Sequence, residues 1–145
     1  MLEDTAILIM EDSEDHFQLI KNNLLPTHTD SDIIQFKNGR DVLDFFFKAN
    51  GEVCFEDRKK YILMLDISTS QVNGIEVLKK IKRDVQTKKI PVIILTETDD
   101  PDTVEQCYSF GCSTYIVKPE EYQDFEETIQ KVGHFLSVVE TTLIQ

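Results

Sequence analysis

The chain has 145 residues, 41% hydrophobic and 29% charged, with 15 Lys and Arg against 27 Asp and Glu for a formal charge of −12. That length suits one domain, able to bury about two-thirds of its unfolded surface. No apolar run approaches the roughly 20 residues that span a bilayer, "MLEDTAIL" lacks the basic start of a signal peptide, and so acidic a chain repels nucleic acid. A cytoplasmic protein with neither a membrane nor a nucleic-acid partner is expected. The three cysteines, Cys54, Cys107 and Cys112, are too few and too irregular for a disulfide framework. Cys107 and Cys112 have no accompanying histidine at zinc-site spacing, so reduced thiols are expected.

The first strand is read at 6–10, "AILIM", and runs into Glu11-Asp12. A helix follows over Asp15–Leu25, with Phe17, Ile20, Leu24 and Leu25 on one side, Ser13 available as its cap and Pro26 as its stop. Strand two is "IIQF" at 33–36, and helix two runs from Asp41 to Ala49 with Val42, Phe45 and Phe46 inward. In the Phe45-Phe46-Phe47 run, one ring is expected to point outward. A longer polar connection at 50–60 leads to strand three, "YILML" at 61–65, which delivers Asp66. Helix three spans Ile75–Arg83, and strand four, "PVIIL" at 91–95, ends in Thr96. Helix four spans Pro101–Phe110, with proline in its first turn and Gly111 placed to cap its end. Strand five is "TYIV" at 114–117, followed by Lys118-Pro119 and a last helix from Tyr122 to about Leu143.

Strict alternation of five strands and five helices predicts an open parallel sheet covered on both faces. The near-continuous apolar character of strands one, three and four fits burial on both sides. No repeat, low-complexity tract or linker interrupts 1–145, so a single domain without an output domain is expected.

In such sheets the C-terminal strand ends share a crevice. Here those ends carry Glu11-Asp12, Asp66, Thr96 and Lys118-Pro119. Three carboxylates at close range repel one another, a cost that a hard divalent cation removes; Mg²⁺ suits a site with few protein ligands and retained waters. Such a cation bridges to a phosphoryl oxygen, with Lys118 and Thr96 placed to hold others. Asp66, ending the central strand, is the carboxylate best placed to attack phosphorus.

The chain resembles the response-regulator receiver domains of two-component phosphorelays. The residues that carry the likeness are "ILIMEDSED", "ILMLDISTSQVNG", "PVIILTETDD" and "GCSTYIVKP", five anchors in order at strand ends. The polar connection at 50–60 and the "VLDFFFKANGE" helix before it are similar to standalone receivers that serve phytochrome-type histidine kinases. The resemblance implies a flavodoxin-like, doubly wound (βα)5 fold with strand order 2-1-3-4-5. It implies that Asp66 accepts a phosphoryl group from a sensor histidine kinase or a phosphotransfer protein, in a reaction that is not enzymatic turnover. Mg²⁺ would be held by Asp12, Asp66 and the backbone carbonyl of Ser68, with Glu11 acting mostly through water. Thr96 would reorient toward the phosphoryl group and Tyr115 would swing inward as a switch, while a cis Lys118-Pro119 bond is implied. A population shift on the face of helix four, strand five and helix five would then reach a downstream protein.

Three positions depart from the family pattern. Ser70 and Asn73 replace a usual proline and aspartate after Asp66, and Glu97 follows Thr96 where a small residue is usual. A carboxylate there would repel an incoming phosphoryl group, so a receiver-shaped interaction module that takes phosphate poorly is the main alternative. An aspartate-nucleophile phosphatase is a weaker one, because Ser68 stands where that class needs a second aspartate. A flavodoxin-like electron carrier is disfavoured by "EDSED", which repels a phosphate. His16, His28 and His134 are read as surface residues rather than ligands. On helix five, Val132, Phe135, Leu136, Val138, Val139 and Leu143 form a stripe broader than one core face, which offers a homodimer seam.

Overall fold

The computed structural model describes residues 5–25, 32–53, 59–67 and 74–143, with side chains through residue 137. Ten elements alternate along it: β1 (Thr5–Met10), α1 (Glu14–Leu24), β2 (Asp32–Phe36), α2 (Gly39–Phe46), β3 (Lys60–Leu65), α3 (Gly74–Arg83), β4 (Val92–Thr96), α4 (Pro101–Ser109), β5 (Thr114–Val117) and α5 (Tyr122–Leu143). All strand pairs are parallel and the order across the sheet is β2-β1-β3-β4-β5. Leu8 stands opposite both Ile34 and Leu63, Met64 opposite Ile93, and Leu95 opposite Ile116.

Successive side chains of a strand point to opposite faces, and that parity divides the interior in two. Ala6, Leu8, Met10, Leu63, Leu65, Val92 and Ile94 meet Val42 and Phe46 of α2, Val77, Leu78 and Ile81 of α3, and Cys107 of α4. Ile7, Ile9, Ile62, Met64, Ile93 and Leu95 meet Phe17, Ile20 and Leu24 of α1 and Phe125, Ile129, Val132 and Leu136 of α5. Each Val, Leu, Ile, Met or Phe among them contributes about 1.5–3 kcal/mol by leaving water. β1, β3 and β4 are therefore apolar on both faces, as the sequence predicts, while β2 and β5 are half-buried edges.

Local chemistry sets the helix starts. Ser13 Oγ accepts from the backbone N–H of His16 at 3.3 Å, Asn38 Oδ1 from Asp41 at 2.9 Å, and Asp100 Oδ2 from Thr103 at 3.1 Å, one residue before Pro101. Helix α2 ends at Phe46, three residues earlier than the sequence reading. Phe47 instead forms an antiparallel bridge with Val53, around a turn in which Gly51 adopts φ +87°. That bridge takes Phe47 out of the helical spacing, so none of the three phenylalanines points outward. Phe46 and Phe47 are buried, and half-buried Phe45 sits edge-on to Phe36, Phe46 and Tyr61. Among the described residues, no helix is long and apolar enough to cross a membrane.

The start of α3 lies almost in contact with the backbone that carries Asp66. A Cβ on Gly74 would stand 2.7 Å from Ile67 Cγ2 and 2.9 Å from the Asp66 carbonyl oxygen. Gly74→Ala should therefore push α3 away from the end of β3 and cost roughly 1–3 kcal/mol. Urea unfolding measures this as a lowered midpoint; an unchanged midpoint would contradict so close an approach.

Candidate phosphoacceptor site

The ladder hydrogen bonds continue one residue past the strands and fix the backbone of the residues with chemistry. Glu11 N–H donates to Phe36 O (2.9 Å), Asp66 N–H to Met10 O (3.1 Å) and Lys118 N–H to Thr96 O (2.7 Å). Gln35 Nε2 adds a bond to Glu11 O at 2.9 Å. Strand parity carries Glu11, Asp66 and Lys118 to the α1/α5 side of the sheet, in step with Ile9, Met64 and Ile116. Thr96 and Tyr115 follow Ile94 to the opposite side.

Glu11, Asp66 and Lys118 meet there. Lys118 Nζ donates to Glu11 Oε1 at 2.6 Å and to Asp66 Oδ2 at 2.9 Å, with all three side chains at most 6% exposed. Burial pushes the Glu11 carboxyl above its usual range, and the bond to Lys118 pulls it only part of the way back. Burial would lower Lys118, but its hydrogen bonds to Asp66 and Glu11 outweigh that and hold its pKa above the ordinary value. Lys118 is thus an ammonium at neutral pH, set between two acids. One positive charge against two carboxylates leaves the cluster short of positive charge when both are ionised.

Thr96 is fully buried, and its Oγ1 has no hydrogen-bond partner among the described residues. Buried hydroxyls nearly always have one, and Thr5 Oγ1 is the other buried hydroxyl without one among the described residues. Tyr115 is half-buried, with its hydroxyl donating to Thr98 O at 2.6 Å and its backbone N–H donating to the Tyr108 hydroxyl at 3.1 Å. Burial, followed by the nearby Cys107, Asp100, Asp99 and Asp66, pushes its phenol up to about 12, so it stays a donor at neutral pH. Asp12 is exposed. Ser68, Ser70 and Asn73 lie outside the described residues, so the carbonyl expected from Ser68 does too.

Glu97 is exposed and lines a cleft of about 670 Å³ together with His16, Asp99, Lys118 and Pro119. The Lys118-Pro119 peptide bond is trans, not cis as the family resemblance implies. Trans is the commoner state of an X-Pro bond, and Lys118 reaches both carboxylates from it.

A model of the response regulator receiver domain matches residues 7–130. The chain belongs to that family. The receiver from Rhodospirillum rubrum is 32% identical, with a TM-score of 0.86 covering 92% of this chain and 94% of that one. Response regulator Rcp1 of Synechocystis is 30% identical over 90% of this chain and 87% of its own length. The Mn²⁺-bound form of Rcp1 superposes with a TM-score of 0.78 at 26% identity, covering 90% of this chain and 93% of that one. The bacteriophytochrome response regulator RtBRR gives a TM-score of 0.65 at 27% identity, over 88% and 76% of the two chains. Receiver domains are signalling domains, and the sheet order found here is that of their solved structures.

A divalent cation is the group that this family implies, and the donors present fit one. They are hard oxygen atoms, they carry excess negative charge, and Glu11 is left with a raised pKa that a nearby cation would relieve. Among the described residues, no three His, Cys, Asp or Glu side chains form a protein cage; Mg²⁺, which retains several waters, needs none.

One member of the site was missed. His16 is not a free surface residue: its Nδ1 lies 3.1 Å from Lys118 Nζ, and its ring meets Phe125 edge-on at 5.5 Å. The signal was available, since His16 precedes Ile20 by four residues and so shares the inward stripe of α1.

The raised Glu11 carboxyl has a pH signature. In metal-free buffer the folded chain keeps a proton on Glu11 that the unfolded chain has lost. Wild-type stability therefore falls as pH rises from the unfolded value of 4.5 through the raised folded one. Gln cannot show this loss. Across that window the Tm of Glu11→Gln, relative to the wild type, should climb with pH, whatever its constant offset. A flat difference would contradict the raised pKa.

Proposed function

We propose that this receiver domain is a working phosphoacceptor, modified on Asp66 by a sensor histidine kinase or phosphotransfer protein. The observation that carries the reading is the buried Lys118 ammonium bonded to Asp66, at the strand edge where β4 also ends in a buried Thr96 whose hydroxyl has no partner among the described residues. An Asp66 carboxylate oxygen forms the new bond to phosphorus as the donor's phosphorus–nitrogen bond breaks, and the departing imidazole nitrogen keeps the electron pair. Lys118 neutralises charge on the acceptor side, and Thr96 donates to an oxygen of the transferred group. Mg²⁺, held by Asp12, Asp66 and the Ser68 carbonyl with Glu11 through water, would neutralise phosphoryl oxygens; the Mn²⁺-bound form of Rcp1 supports that site.

Once Thr96 turns to the phosphoryl group, Tyr115 can exchange its bond to Thr98 O for an inward position, shifting the face of α4, β5 and α5. That face exposes Tyr108, Val117, Tyr122 and Phe135, an apolar surface suited to a downstream protein or, around Phe135 on α5, to a second copy. Of the helix five stripe, Val132 and Leu136 face the core; the side chains of Val138, Val139 and Leu143 lie outside the described residues. The likeness to Rcp1 and to bacteriophytochrome regulator RtBRR supports a phytochrome-type kinase as the donor.

Intact-mass measurement after incubation with acetyl phosphate and Mg²⁺ tests the reading. The wild type should gain one phosphoryl mass and Asp66→Asn none; no gain in the wild type would overturn it. Glu97, exposed on the cleft beside Lys118, should slow an anionic donor by repulsion. Glu97→Ala is expected to accelerate the mass gain by roughly twofold to fivefold, and an unchanged rate would remove that role.

A further inference from the structure

Lys118 has three N–H bonds to place and almost no contact with water. Two go to Glu11 Oε1 and Asp66 Oδ2, and the third points at His16 Nδ1, 3.1 Å away. A lysine ammonium can only donate, so Nδ1 is the acceptor and the ring proton sits on Nε2. A tetrahedral ammonium held at one corner by His16 cannot rotate about its Cε–Nζ bond. Its remaining two N–H groups are then aimed at the two acids. Histidine is not needed there for packing alone, since a phenylalanine ring could meet Phe125 as well.

We propose that His16 is a positioning residue of the phosphoryl-transfer site, orienting the Lys118 ammonium through Nδ1. The proposal rests on the phosphoacceptor reading for its effect on rate, but not for the contact itself. Without the acceptor, a buried charged N–H is left unmatched. The ammonium then tilts toward whichever carboxylate it can reach twice, and Asp66 loses its fixed partner. In this role His16 acts through Lys118, by aiming it.

Two substitutions in the full chain separate aiming from packing. The Oδ1 of asparagine occupies nearly the place of histidine Nδ1, so His16→Asn keeps the acceptor and loses the ring. His16→Phe keeps the ring and loses the acceptor. With acetyl phosphate and saturating Mg²⁺, His16→Phe should gain phosphoryl mass roughly threefold to tenfold more slowly, the span of one hydrogen bond, whereas His16→Asn should stay within about twofold of the wild type. In the metal-free protein, the Lys118 side-chain ¹⁵N signal, assigned by its loss in Lys118→Met, should move in His16→Phe and remain near its wild-type position in His16→Asn. The reverse order, with Asn slow and shifted and Phe unaffected, would make His16 a packing residue and overturn the proposal. Two unaffected variants would overturn it as well. If the wild type takes no phosphoryl group, the phosphoacceptor reading fails, and the nitrogen signal still decides whether His16 holds Lys118.

Discussion

The site is organised around one ammonium group. Lys118 Nζ stands between Glu11 and Asp66, three residues separated by up to 107 positions in sequence and at most 6% exposed. Ions in such surroundings lose several kcal/mol of hydration each, recovered only when partners and hydrogen bonds are complete. The charges therefore constrain one another: either acid alone would be poorly tolerated, and without the acids burial would lower the lysine's pKa instead of leaving it raised. Under the proposed phosphoryl transfer to Asp66, the same ammonium would serve the chemistry as well as the stability of the site.

The rest of the fold serves to bring these groups together. A parallel sheet ends its strands on one edge, and the ladder bonds that run past the strands hold the backbone of Glu11, Asp66 and Lys118. Strand parity sends those three to the side covered by α1 and α5, and sends Thr96 and Tyr115 to the side covered by α2, α3 and α4. Asp66 and Lys118 thus face one helical layer, while Thr96 and Tyr115 face the other. Tyr115, bonded to Thr98 O in the loop after β4 and through its backbone to Tyr108 of α4, already links that second layer to the site.

Much of this was legible in the chain because burial on both faces leaves a plain mark. β1, β3 and β4 are apolar at every position or nearly so, and each ends abruptly at a polar group, so the chemistry could be located by where the apolar runs stop. The bounds of α2 were less legible. Phe47 continues an aromatic run that suits a helix, and only the long-range bridge to Val53 takes it out. The isomer of the Lys118-Pro119 bond was misread because proline chemistry permits both forms. His16 was misread for a different reason: a histidine in a first turn beside acids looks solvated, and its partner Lys118 lies 102 positions away. Helical spacing showed which way the ring points, but no local pattern shows what waits there.

A double-mutant cycle in stability tests the central claim most directly. Lys118→Met, measured by urea unfolding at neutral pH without metal, should cost about 3–5 kcal/mol, because it leaves two buried carboxylates without a cation. Adding Asp66→Asn should return a substantial part of that loss, since one of the stranded charges is then gone. If the two substitutions instead add without coupling, the ammonium is not what holds these acids, and the account of the site fails.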